Sequence, residues 1–210
     1  MANNYDKIAK HYDWLSRIVF SKAQVNAQKN QLKYLTPNAC ILIVGGGTGW
    51  ILEEIAKIYP SGLKIVYVEI SAKMIALSKN RDFKENDVKF ENQAIENFES
   101  AIEFDFILTP FLFDNFNQEQ AELVFHKLNL LLKNNGKWFL VDFTLQHGVG
   151  KWWKSLLLKS MYLFFRFFKM VSVSKLVEMK PYFLKQDYII LEERFYFKNF
   201  IEATVYLKQK

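Results

Sequence analysis

The chain has a single cysteine, Cys40, among 210 residues. That excludes an internal disulfide framework and any multi-cysteine metal site. Histidine is also scarce, with three copies, and no His, Cys, Asp or Glu cluster has metal-ligand spacing, so no metal is expected. No stretch approaches the roughly 18 uncharged apolar residues that a membrane-spanning helix needs. The N-terminus, Met1-Ala2-Asn3-Asn4-Tyr5, lacks the basic region and apolar run of a secretory signal. There is no internal repeat, low-complexity tract or flexible linker. Net charge is only +6, with pI about 9.2. Such a balance permits nucleic acid or an anionic membrane as a partner but argues for neither. A cytoplasmic protein is the default expectation, with peripheral membrane contact as its variant.

What the chain does have is apolar bulk. Half of its residues are hydrophobic and 20 are phenylalanine, enough for a sizeable core in one domain. The aromatic excess lies in the second half. It reads either as core or as a greasy surface or pocket beyond the core's needs. From Cys40 onward, nearly all-apolar strands alternate with helical patterns. Strands are expected at 40–44, 63–70, 88–91, 104–109 and 137–142, and helices at 50–59, 72–80 and 118–133, the last with Asn117 as N-cap. This rhythm predicts an α/β fold with a parallel sheet covered on both faces. Before it, residues 24–35 read as a helix. After it come an aromatic helix over 152–171, a helix over 175–185 interrupted at Pro181, and a β-hairpin of 188–197 with 200–208.

The most informative stretch is Ile41-Leu42-Ile43-Val44-Gly45-Gly46-Gly47-Thr48-Gly49-Trp50, where four of the eight glycines occupy five positions. Glycine is costly inside an element, so this density implies a ligand approaching the backbone at a helix N-terminus. No Gly-Lys-Ser/Thr follows, which excludes a P-loop. A dinucleotide fingerprint would place its third glycine at Trp50 or Leu52, and neither fits. Gly45-x-Gly47-x-Gly49 fits an S-adenosylmethionine pattern instead. Glu69, 20 residues after Gly49 at the end of the next strand, is placed to accept both ribose hydroxyls of an adenosine.

With these pieces in order, the chain resembles the class I S-adenosylmethionine-dependent methyltransferases, in the manner of their small-molecule members. The similarity runs from Tyr5-Asp6-Lys7-Ile8-Ala9-Lys10-His11-Tyr12-Asp13 through Ile41 to Gly49, Val66-Tyr67-Val68-Glu69-Ile70-Ser71 with Met74, and Phe104-Asp105-Phe106-Ile107. It ends in Leu131-Leu132-Lys133-Asn134-Asn135-Gly136-Lys137 with Leu140-Val141-Asp142. The resemblance implies a Rossmann-like three-layer sandwich with a mostly parallel seven-stranded sheet whose last strand is antiparallel. It also implies S-adenosylmethionine as cofactor, held by Gly45, Gly46, Gly47, Thr48, Gly49, Glu69, Ile70, Met74, Gln93, Ala94, Ile95 and Thr109. Two positions depart from the family pattern. Ile43 stands where an acid is usual, and Asn92-Gln93-Ala94-Ile95 replaces a segment in which an aspartate often contacts adenine.

Methyl transfer needs alignment and desolvation more than a fixed triad. A base is required only if the acceptor must lose a proton. His147 is the base candidate by position, against a solvated loop histidine; His11 and Tyr12 are candidates for capping the site, against plain packing. Asp105 reads as a strand residue with a structural hydrogen bond, and Asp142 as undecided. The aromatic helix carries Lys151, Lys154, Lys159, Arg166 and Lys169 within an arc of roughly 140° and no acid. It reads as a sheet cover with its lysines in water, as a lid over an apolar acceptor, or as an anionic-membrane contact through 151–169.

The expected layout is one methyltransferase domain over 1–210. Residues 1–36 form a helical cap, 37–145 the cofactor core, 146–187 a helical lid or insertion, and 188–210 the hairpin. The expected partner is a small, apolar methyl acceptor of quinone, lipid or fatty-acid type. The alternatives are an RNA-directed methyltransferase and a non-catalytic S-adenosylmethionine-binding or membrane-surface protein.

Overall fold

The structure, a computed structural model, describes residues 19–146, 151–167 and 176–209. His11, Tyr12 and His147 lie outside them. The strand–helix alternation is realised as β1 (Cys40–Val44), α2 (Trp50–Ile58), β2 (Ser61–Val68), α3 (Ala72–Ser78), β3 (Glu85–Glu91), β4 (Phe104–Pro110), α4 (Gln118–Leu131) and β5 (Leu132–Phe143). Helix α1 (Ala23–Lys29) precedes them. Helices α5 (Lys151–Phe167) and α6 (Lys180–Lys185), then β6 (Ile189–Tyr196) and β7 (Ile201–Leu207), follow.

The seven strands form one sheet in the order β3-β2-β1-β4-β5-β7-β6. All pairs from β3 to β5 are parallel, and β7 runs antiparallel between β5 and β6. Strand order reverses between β1 and β4, so the crevice beyond their carboxyl ends is the place where such sheets bind ligands. This is the Rossmann-like sandwich that the family resemblance implies.

Alternation along each buried strand feeds two cores. Leu42, Val44, Ile107, Trp138 and Leu140 pack against Val124, Phe125 and Leu128 of α4 and Phe183 of α6. On the opposite face Ile41, Ile43, Leu108 and Phe139 meet Ile51, Leu52 and Ile55 of α2. A third, aromatic cluster joins Phe20, Phe143, Phe200 and Leu158 of α5. Most of the phenylalanine excess is therefore spent on packing. Phe183 and Tyr206 stack with ring centroids 3.8 Å apart.

Local signals explain most boundaries. Asn117 caps α4 through the backbone of Gln120, whose side chain accepts from Asn117 N in return, forming a capping box. Pro181 lies in the first turn of α6, so it starts that helix rather than interrupting one, because a first-turn proline has no intrahelical N–H bond to lose. Helix α4 ends at Leu131, two residues before the expected end: Lys208 Nζ donates to the carbonyls of Asn129 and Leu132, capping the helix from the sheet edge. Residues 24–35 do not form one helix; α1 stops at Lys29 and a 3-10 turn covers Leu32–Tyr34. There the buried Gln31 side chain donates to the carbonyls of Leu140 and Thr204, tying the turn to the sheet.

Helix α5 departs from the expected orientation. Lys154 is fully buried and its ammonium donates to the carbonyl of Asn199, 2.8 Å away, in the turn joining β6 to β7. That turn runs through Phe197, Lys198 and Asn199, all at positive φ (48°, 53° and 63°). A solvated arc containing Lys154 is thus corrected: the helix has rotated so that this lysine satisfies a buried carbonyl. Among the described residues no helix is long and apolar enough to cross a membrane.

Candidate functional site

The glycine loop leaves β1 at the point of strand reversal. Gly45, Gly47 and Gly49 all have positive φ (70°, 63° and 79°), a region that L side chains resist. Gly49 is the N-cap of α2, and a Cβ there would stand 2.5 Å from Ser78 Cβ and 2.7 Å from Ser78 Cα in α3. Gly46 is a glycine for another reason. Its φ is ordinary, but a Cβ would collide with the Tyr67 hydroxyl and reach 2.6 Å from two of its ring carbons. Tyr67 is fully buried beneath the loop, and its hydroxyl donates to the Gly47 carbonyl at 3.0 Å. Arg81 closes the loop from the side, with Nε donating to Thr48 O at 2.9 Å and a terminal nitrogen to Thr48 Oγ1 at 3.2 Å.

Glu69 follows β2 and is buried at the loop's edge. One carboxylate oxygen accepts from Gly47 N at 3.1 Å and the other from Ser71 N at 2.9 Å. The acid is thereby held in one orientation beside the glycines. Ser71 in turn caps α3 by accepting from Met74 N. Met74 is buried against the loop, 3.6 Å from where a Gly47 Cβ would be. Ile70 and Gln93 are half-buried nearby: Asn92 bridges the two segments by donating to the carbonyls of Glu69 and Ile70, and the Gln93 amide donates to Glu91. Ala94 is half-buried, and Ile95 packs into the core.

The structure thus gathers Gly45 to Gly49, Glu69, Ile70, Met74 and the segment at Gln93 around one end of the sheet. Thr109 stands apart from them. Its side chain is fully buried and its hydroxyl accepts from the Trp138 indole at 2.9 Å, on the face covered by α4. Ile43 is fully buried in the core beneath α2. Asp105 has the structural role expected of it, accepting from Cys40 N and pairing with Lys133.

Across the crevice, the turn after β4 brings Phe111 to Asn115 over the end of β5. Leu112 comes within 3.3 Å of a Cβ built on Gly45. Asp142 is buried here, accepting from Phe113 N and Phe143 N. Burial pushes its carboxyl up to about 7, and the neighbouring Glu202 adds to the rise, against the lowering effect of those backbone donors. Asp114 in the same turn is raised well above the ordinary carboxyl range, first by burial and then by Asp142. The two acids behave as a coupled pair that retains a proton near neutral pH. The sequence assigns no role to Tyr67 or Arg81, leaves Asp142 undecided, and reads Asp114 only as part of a substrate-pocket turn over 109–114. A buried tyrosine hydroxyl needs a partner, which was the available signal for Tyr67; for Asp114 only the fold shows its proximity to Asp142.

Residues 41–136 match the family model of a methyltransferase domain. Over these residues the chain carries a methyltransferase domain. Among curated proteins this methyltransferase is 34% identical over 80 residues to the ubiquinone/menaquinone biosynthesis C-methyltransferase UbiE of Geotalea daltonii. That stretch spans 37% of this chain and 34% of the relative, about a third of its length. Solved structures extend the likeness in fold. The N-methyltransferase NodS of Bradyrhizobium japonicum, in complex with S-adenosyl-L-homocysteine, superposes with a TM-score of 0.64 at 12% identity, covering 89% of this chain and 88% of that one. The magnesium protoporphyrin IX methyltransferase of Synechocystis, also with bound S-adenosylhomocysteine, gives 0.65 at 12% identity over 89% and 83%.

Proposed function

We propose that this methyltransferase binds S-adenosylmethionine across the glycine loop and transfers its methyl group to a small, apolar acceptor at the carboxyl ends of β4 and β5. The carrying observation is the Glu69 carboxylate, fixed beside the glycines by Gly47 N and Ser71 N. A carboxylate so oriented is the acceptor that a pair of vicinal hydroxyls needs. The residues fit the cofactor in a second respect. A Cβ on Gly47 would find Met74 only at ordinary contact distance, so the backbone there is open to close approach. When bound, the cofactor supplies an activated methyl on a sulfonium; the chain's residues align it, exclude water and manage protons.

In this reading Glu69 takes the ribose, the loop approaches the methionine end, and the Ile70 and Gln93–Ile95 segments flank the adenine. Ile43 leaves the loop without an acid at its base, so neutral groups hold the methionine end. Residues 37–145 form the cofactor core in this reading. The acceptor's apolar class is supported by the half-buried Phe111 in the turn after β4 and by the quinone pathway in the name of the curated relative. Titration calorimetry with S-adenosylmethionine on the wild type and Glu69→Ala tests the cofactor assignment. Binding by the wild type, weakened at least tenfold in the variant, is expected; no binding by the wild type sinks the assignment. Transfer of isotope-labelled methyl to a demethylated quinol, but not to RNA, tests the acceptor class.

A further inference from the structure

The rotation that buries Lys154 leaves a different face of α5 in solvent. Trp152 is 74% exposed and Leu156, one turn on, 62% exposed. Lys159, the next residue on that face, is exposed as well. The inward face is already committed: Leu158 is buried, and Trp153 sits edge-on to Phe197 and Phe200 at 6.2 and 5.9 Å. Nothing in this packing needs Trp152 or Leu156. Lys198, in the turn to which Lys154 anchors the helix, is exposed as well. Helix α5 contains no acidic residue, and the cluster beneath it is wholly apolar.

We propose that this face of α5 seats on an anionic lipid surface, with Trp152 and Leu156 entering the headgroup–acyl boundary and Lys159 and Lys198 meeting lipid phosphates. Tryptophan favours that boundary, and lysine reaches from apolar surface to anionic headgroups. Charge decides between the available occupants. A second copy docked about a two-fold axis would set this cationic, acid-free face against itself, and like charges would oppose each other without a partner. An anionic bilayer supplies both the apolar layer and the counter-charge. At 17 residues with interspersed cations, α5 lies on such a surface rather than crossing it. The surface is independent of which acceptor is methylated.

Co-sedimentation with vesicles of phosphatidylcholine, with and without phosphatidylglycerol, tests the proposal. The full chain should pellet with the phosphatidylglycerol vesicles and be released by salt. Trp152→Ser/Leu156→Ser should lower partitioning by at least about tenfold while thermal melting is unchanged, since both side chains are exposed. Lys159→Glu/Lys198→Glu should abolish the preference for phosphatidylglycerol. A wild type that stays in the supernatant overturns the proposal. So does undiminished pelleting of the Trp152→Ser/Leu156→Ser variant. Sedimentation velocity showing self-association lost in that variant, without vesicle binding, would assign the face to a second copy instead.

Discussion

Replacing Gly46 with alanine perturbs the loop through one contact. The added methyl would stand on the Tyr67 phenol, whose ring is enclosed beneath the loop and whose hydroxyl bonds Gly47 O. Overpacking of this kind costs about 1–3 kcal/mol. Moving the phenol also breaks its hydrogen bond, worth about 1 kcal/mol. Gly46→Ala should therefore destabilise by about 2–4 kcal/mol, read as a fall of roughly 10 °C in melting temperature for a chain of this size. Because the φ at Gly46 is ordinary, backbone strain adds nothing, and a double-mutant cycle isolates the contact. Tyr67→Leu removes the colliding atoms, so the same alanine should cost under about 1 kcal/mol in that background. Urea unfolding of the four proteins measures the coupling. Equal cost of the alanine in both backgrounds would refute the contact as the reason for glycine.

Other expectations concern protons, caps and charges. Asp142 binds its proton more tightly folded than unfolded, since its carboxyl rises from 3.8 to about 7. Its contribution is complete below about pH 4 and is lost as pH rises to about 7, by up to about 4 kcal/mol. Melts across pH 5–8 should show wild-type stability falling, and Asp142→Asn should flatten the fall. The lowered acids Glu54, Asp105 and Glu192 act with the opposite sign and at more acid pH. Asn117→Ala should cost about 1 kcal/mol by urea unfolding, from loss of the α4 capping box. Lys154→Ala should cost about 2–4 kcal/mol by stranding the Asn199 carbonyl and opening a gap, whereas Lys159→Ala should be neutral; equal effects would mean that Lys154 is not inward.

The parallel sheet and the closing hairpin were legible because they rest on local signals: apolar runs of strand length, the Asn117 cap, and breaks at glycine and proline. Gly45 to Gly49 with Glu69 were legible for the same reason, being close in sequence and chemically unusual. What stayed hidden depends on distant partners. Lys154 looked solvated because helical spacing cannot know that a strained turn 45 residues later presents a carbonyl to it. Thr109 looked available at a strand end, but Trp138 on the neighbouring strand takes its hydroxyl. The upward pKa shifts of Asp114 and Asp142 arise only when the turn after β4 folds over the end of β5.

The turn at Phe197, Lys198 and Asn199 holds three successive non-glycine residues in the left-handed region, each disfavoured by roughly 1 kcal/mol or more. Such a turn does not persist on its own preference. It is kept by the Lys154 ammonium on one side and the packed rings of Trp153, Phe197 and Phe200 on the other. Helix and hairpin therefore work as a spring and its catch. Lifting α5 from the sheet would let the turn relax, and the antiparallel edge would loosen in the same event. A membrane that held the helix by its outer face would be pulling on that catch.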